Sequence, residues 1–237
     1  MNGGLSSTFQ VVSIHKHYPQ KVISLCLLDS AGLMNVSPQP SDLQMEQSKG
    51  HNPFIITSRE DFEELFEYAF YKQPFYPWPI ISVLSDRAIA SSDFYKKVGD
   101  EFLNQSTDIY PLLPGISVPA LVIWGDKDRI LHVSTTEVLK KSLPGSEVVI
   151  MKDCGHMPMA ERPQETAEYY VNFLRTHKRS QWFRGPQREA FPHIGHSDVF
   201  TIVGCIRLNI FGSRSMPLSL YAQNAGKGMN YSVLLNW

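Results

Sequence analysis

With 237 residues and 43% hydrophobic content, the chain is long enough for one sizeable core, or one core carrying an inserted lid. Lys+Arg 22 against Asp+Glu 23 leave a formal net charge of -1, which argues against nucleic acid or an anionic membrane surface as main partner. Cys26, Cys154 and Cys205 form neither an even set nor a C-x-x-C pair, so neither a disulfide framework nor a cysteine-based zinc site is indicated, and a reducing, cytoplasmic setting is expected. The apolar runs stay far below the ~20 residues of a membrane helix, and no signal-peptide pattern opens the chain.

After a Gly- and Ser-rich start, Val11, Ile14, His15 and Tyr18 fall at i, i+3, i+4 and i+7, one face of a helix that Tyr18-Pro19 ends. Val22 to Leu28 is an apolar strand broken only by Ser24, followed by the turn-prone Asp29-Ser30-Ala31-Gly32. Asn35 to Pro53 has no period and reads as a loop leaving the sheet.

Ser58-Arg59-Glu60-Asp61 is a capping-box pattern, and Phe62, Leu65, Phe66 and Ala69 mark the apolar face of the short helix it opens. The prolines of Gln73-Pro74-Phe75-Tyr76-Pro77-Trp78-Pro79 interrupt helix formation, and a second helical stretch is predicted from about Asp86 to Leu103. Residues 35–113 hold no convincing buried strand and read as a helical lid between two strands of one sheet. Their aromatic residues either line a pocket or pack the lid onto the body.

Val118 to Trp124 and Glu147 to Met151 are nearly continuous apolar segments of strand length, the pattern of parallel strands buried on both faces. Between them Ser134-Thr135-Thr136-Glu137 reads as a second capping box, opening a helix that ends at Leu143-Pro144-Gly145. Past His156, Arg162-Pro163 opens a helix with Ala167, Tyr170, Val171 and Leu174 at helical spacing. The order β, α, β, α implies a three-layer α/β body with parallel strands and right-handed crossover helices. The pattern ends near Lys178. Residues 179–237 read as an appended, weakly ordered tail whose alternating stretch Phe200, Ile202, Gly204, Ile206, Leu208, Ile210 could form a strand but finds no evident partner. His193 and His196 lack further ligands nearby, so no metal site is assigned.

Two loops follow strand ends, Gly125-Asp126-Lys127-Asp128 and Asp153-Cys154-Gly155-His156. Reacting groups collect beyond the carboxyl ends of parallel strands, because helices cover both faces and leave that edge open. Histidine is best poised to move a proton near neutral pH, and a carboxylate on its other ring nitrogen fixes tautomer and orientation. Asp128 and His156, about one crossover apart, suit those roles, although Asp is also common in turns and His156 could be a plain loop residue.

Leu121 to Asp128, Cys154-Gly155-His156 and Glu161-Arg162-Pro163 together resemble the acid and histidine blocks of α/β-hydrolases, in the expected order. The likeness extends through Tyr18-Pro19-Gln20-Lys21-Val22 and Leu27 to Leu33, and covers residues 11–178. Asn52-Pro53-Phe54, Ser58-Arg59-Glu60 and Asp93-Phe94-Tyr95-Lys96-Lys97 are most similar to membrane-associated monoacylglycerol lipases of the α/β-hydrolase-domain group. The resemblance implies Asp128 as triad acid, His156 as triad base, a small acyl ester or lipid as substrate and no cofactor. It also implies membrane association through an N-terminal segment of the full-length family member. Asp29, after the strand that would follow the nucleophile elbow, competes for the acid role, but a turn role suffices for it.

The departure concerns the nucleophile. The family's G-x-S-x-G, a sharp strand-to-helix turn that exposes the serine, does not occur in the sequence. The nearest approach is Gly4-Leu5-Ser6-Ser7-Thr8, with Thr8 where the second glycine belongs. No nucleophile is assigned, and Ser6 is the nearest candidate. The chain is therefore expected to be the C-terminal part of the fold, N-terminally truncated and inactive as it stands, with an unpaired, aggregation-prone edge along Val22 to Leu28. The alternatives are a hydrolase-like protein that binds a lipid or partner without turnover, and an epoxide or C–C bond hydrolase using a different elbow.

Overall fold

The computed structural model describes residues 7–19, 22–103, 108–181 and 205–208. The body is a four-stranded sheet in the order β3-β2-β1-β4, made of β1 Val22–Leu28, β2 Ala120–Gly125, β3 Glu147–Met151 and β4 Cys205–Leu208. The first three strands are parallel, with Leu27 beside Val122 and Val122 beside Val148. Side chains alternate across the sheet plane, and each face finds its own core. Leu25, Leu27, Val122 and Trp124 face one layer with Leu43, Tyr68, Phe70, Leu113 and Leu139. Cys26, Leu28, Leu121 and Ile123 face the other with Met151 and Phe173. All six residues of β2 are buried, the double burial that its unbroken apolar run predicts.

The helices cover this sheet. They are α1 Ser7–His17, α2 Asp42–Ser48, α3 Arg59–Ala69, α4 Trp78–Ala90, α5 Ser92–Leu103, α6 Thr135–Ser142, α7 Pro158–Glu161 and α8 Pro163–Gln181, with a 3-10 segment at Tyr110–Gly115. The buried face of α1 runs through Thr8, Val12 and His15, while Tyr18 is exposed. Ser58 caps α3 as expected, its hydroxyl accepting from Asp61 N at 3.1 Å and its own amide donating to Asp61 Oδ2 at 2.9 Å.

Several expectations are corrected. The stretch 35–53 is not a bare loop, because Ser41 and Gln44 form a capping box that starts α2 and Leu43 is fully buried. The helix expected from Asp86 starts at Trp78, since Pro79 sits in its first turn, where a missing N–H costs nothing. A break at Ser91 then separates α4 from α5. Ser134 makes no capping hydrogen bond to α6. Its hydroxyl instead lies 2.8 Å from His132 Nδ1 and accepts from Gln39 N at 3.2 Å. On α8 the inward face passes through Thr166 and Phe173 rather than Ala167 and Val171, which are exposed. Thr166 Oγ1 donates to Pro158 O at 2.9 Å, and that anchor turns the large Phe173 ring into the core.

The tail supplies β4, which runs antiparallel to β1 and sets Ile206 beside Leu25. The β1 edge expected to be unpaired therefore has a partner over this stretch, one that local pattern could not find because strand pairing is non-local. His193, His196 and the rest of the alternating stretch, like Ser6, lie outside the described residues.

Candidate functional site

Two loops leave the carboxyl ends of β2 and β3 and stay zipped beyond the sheet. Asp126 N donates to Met151 O at 3.0 Å, and Lys127 N to Cys154 O at 2.9 Å. The loops can approach this closely because Gly125 and Gly155 carry no side chains. A Cβ at Gly125 would collide with the backbone carbonyls of Gly155 and Cys154, and one at Gly155 would lie 2.6 Å from Tyr71 N. The sequence signal for both positions was present in the Gly-Asp-x-Asp and Cys-Gly-His blocks, but the steric reason appears only once the loops face each other.

At the end of this zipper the structure brings Asp128 and His156 together, with His156 Nδ1 2.9 Å from Asp128 Oδ2. The Asp128 side chain is fully buried, and the imidazole retains 16% exposure. Asp128 Oδ1 accepts from Ile130 N at 2.8 Å and Leu131 N at 2.9 Å, so three donors converge on one carboxylate. The loop that carries it closes back on the sheet end, where the indole of buried Trp124 donates to Leu131 O at 3.1 Å.

The histidine loop is held from the side of α3. His156 N donates to Ala69 O at 3.0 Å, the last residue of α3. The Glu161 carboxylate accepts from Gly155 N at 2.7 Å and from Lys72 N at 2.9 Å, joining the histidine loop to the chain just past α3. Arg129 does the same for the acid loop, with Nε 2.9 Å from Asp42 Oδ2 and its guanidinium 4.3 Å from the centre of the Tyr68 ring. Glu161 stands in a quoted motif and Arg129 beside the acid, yet their roles are carried by partners far away in sequence, so spacing alone could not reveal them.

Asp29 also arrives here from the end of β1. It adopts φ 39°, in the left-handed region, and its Oδ1 accepts from Gly125 N at 2.9 Å. Asp153, beside the histidine loop, has φ 53°, so among the described residues both non-glycine residues in that region flank this edge. Burial, followed by the charge of Asp128, holds the Asp29 carboxyl well above the usual carboxylate range. The Cys154 thiol is likewise pushed up, chiefly by burial, which makes it a poor nucleophile. Potential ligand atoms of Asp29, Asp128 and His156 lie within 4.8 Å of one another. A histidine bonded to one buried carboxylate with a second carboxyl beside it is an arrangement suited to holding and moving a proton.

Of the two roles expected for the aromatic residues of 35–113, packing is the one seen around α3. Phe62, Phe66 and Phe70 stack along one side of α3 with centroids 4.6 and 5.1 Å apart, and Ile56, Phe62 and Ala88 form a small core of the lid's own. Phe75, at 90% exposure, and Trp78, at 68%, stand out from the segment before and into α4.

Comparison with known proteins accords with this geometry. The model of the alpha/beta hydrolase fold family matches residues 63–163. Lipase 1 of Psychrobacter immobilis is 32% identical over 174 residues, covering 73% of this chain and 53% of that protein. Monoacylglycerol lipase ABHD6 of Mus musculus is 32% identical over 165 residues, covering 67% of this chain and 49% of that one. The solved structure of a membrane phospholipase A, described as a bacterial virulence factor, aligns with a TM-score of 0.69 at 37% identity, covering 73% of this chain and 55% of its own. The chain thus spans about half the length of the curated relatives it matches.

Proposed function

The chain belongs to the α/β-hydrolase fold family, and on that footing we propose that it supplies the acid and base of a serine-type carboxylic-ester hydrolase acting on acyl esters of glycerol. The observation that carries the reading is the 2.9 Å contact between His156 Nδ1 and a buried Asp128 at the open edge of a parallel sheet. With Nδ1–H donated to Asp128, Nε2 is the basic nitrogen. It takes the proton of a serine hydroxyl as the oxygen attacks the acyl carbon, and Asp128 stabilises the imidazolium that forms. The imidazolium returns the proton to the departing glycerol oxygen, leaving an acyl-enzyme. Water, deprotonated by the same Nε2, then releases the fatty acid.

The substrate class rests on names given to relatives: a lipase, a monoacylglycerol lipase and a phospholipase A share an acyl ester of glycerol. Exposed Phe75 and Trp78 on the lid suit an apolar chain. Among the described residues no helix is long and apolar enough to cross a membrane. Membrane association remains part of the proposal, supported by the likeness to its relatives.

Because the sequence contains no G-x-S-x-G, the nucleophile is not among the groups assigned, and this favours one second reading, a lipid-binding protein without turnover. The test compares the 237-residue chain with the product of whatever reading frame continues upstream of Met1, on a monoacylglycerol and on p-nitrophenyl esters. The expected outcome is turnover by a longer product bearing the elbow, reduced about 10⁴-fold by Asp128→Asn, and none by the 237-residue chain. A longer product with an intact elbow and no esterase activity overturns the reading. Turnover by the shorter chain that vanishes in His156→Ala overturns the statement about the nucleophile.

A further inference from the structure

Two carboxyl groups meet at the end of the sheet, and they are treated very differently. Asp128 receives three donors, two backbone amides and the His156 ring. Asp29 receives one, the Gly125 amide on Oδ1, while its Oδ2 is buried without a donor among the described residues. Only 4% of Asp29 is exposed. Two carboxylates this close cannot both ionise cheaply in a buried site, and the one with fewer donors keeps the proton.

We propose that Asp29 is an uncharged carboxylic acid at neutral pH whose Oδ2–H donates to the Asp128 carboxylate, making it a positioning residue for the Asp128–His156 pair. The oxygen that lacks a donor then becomes a donor itself, and Asp128 gains a fourth hydrogen bond. Its plane is fixed from the β1 side as well as from its own loop. The strained φ of Asp29 and its clamp on Gly125 aim the acid at that point.

The surroundings are consistent from every side. Asp128, from the loop after β2, and Glu161, on α7, both disfavour a negative charge on Asp29, as does burial. His156 faces it from the loop after β3, bonded to Asp128 rather than to Asp29. The neighbouring Cys154 thiol stays protonated, chiefly through burial, and so adds no charge.

The inference rests on the hydrolase reading only for its catalytic consequence, and the test needs no turnover. Infrared difference spectra of the 237-residue chain and its Asp29→Asn variant at neutral pH should show a protonated-carboxyl C=O band in the parent that the variant lacks. The amide replaces the acid in shape, can still accept from Gly125 and can donate to Asp128, so the fold is retained. The melting temperatures supply a second readout. An unfolded Asp releases its proton near pH 4, whereas folded Asp29 retains it to a higher pH. The parent therefore loses stability as pH rises through that window, and its melting temperature falls steadily relative to the variant.

Absence of the band, or a melting-temperature gap that is flat with pH, shows Asp29 ionised and overturns the proposal. Should Asp29→Asn fail to fold, the ¹³C carboxyl shift of Asp29 in the parent chain decides. A resonance at the protonated position at neutral pH supports the assignment, and one at the carboxylate position refutes it.

Discussion

The acid and histidine loops and the helix pair α4–α5 are built to opposite specifications. The loops are over-determined. Backbone hydrogen bonds zip them together, glycines at 125 and 155 allow the approach, and Glu161 and Arg129 tie them to α2 and α3. The helix pair rests on a small core around Ile56, Phe62 and Ala88 and, with the segment before it, leaves Phe75, Trp78 and Val83 in solvent. Buried contacts and backbone bonds resist local opening, whereas side chains exposed over a small core do little to prevent it.

Substitutions can break or sharpen this contrast. Asp128→Ala should act most strongly. It removes the acceptor of two buried amides and a partly buried imidazole and should cost about 3–5 kcal/mol, read as a fall in denaturant midpoint at unchanged slope. Gly125→Ala should follow at roughly 3 kcal/mol, because its methyl meets backbone on the facing loop and cannot be accommodated by a rotamer change. A variant as stable as the parent would show that the loops are less tightly closed than described. Glu161→Ala, which orphans the amides of Gly155 and Lys72, should cost about 2 kcal/mol. Glu161→Gln should recover part of this through its remaining carbonyl oxygen.

On α3 and α4 the effects should be smaller. Ser58→Ala removes the N-cap of α3 and should cost about 1 kcal/mol. The carboxyl of Asp61, in the same capping box, is held below the usual range by hydrogen bonds from Thr57 and then Ser58. Its contribution is therefore present at neutral pH and lost only as pH falls below about 4, so the Ser58→Ala penalty should shrink in acid thermal melts. At the bottom of the scale, Val83→Ser on the exposed face of α4 should stay within about 0.5 kcal/mol. A large loss there would mean that the face is covered in solution.

Much of this was legible in the sequence, and what was not has a common cause. β1 and β3 occur at the boundaries their apolar runs imply, and β2 differs only at its ends, but only the inner strands are buried on both faces: β3, at the sheet edge, leaves Ile150 exposed, which its apolar run did not reveal. Asp128 and His156 were legible as strand-end residues in recognisable blocks. What escaped depended on partners that local pattern does not contain. Ser134 reads as a cap until His132 and the segment containing Gln39 claim its hydroxyl. Leu43 reads as one apolar residue among prolines until the core buries it. β4 reads as a strand without a neighbour until β1 supplies one. Asp29 passes for a turn residue, and its backbone does turn, while its side chain reaches across to Gly125.

The bond from His156 N to the Ala69 carbonyl sets a clock on the site. This amide proton is bonded to the last residue of α3, so its exchange with solvent deuterium should report how readily α3 parts from the histidine loop. Its exchange rate should therefore follow the separation of α3 from that loop, read at the backbone of the very residue whose ring bonds Asp128. How often that bond breaks can be timed without any substrate.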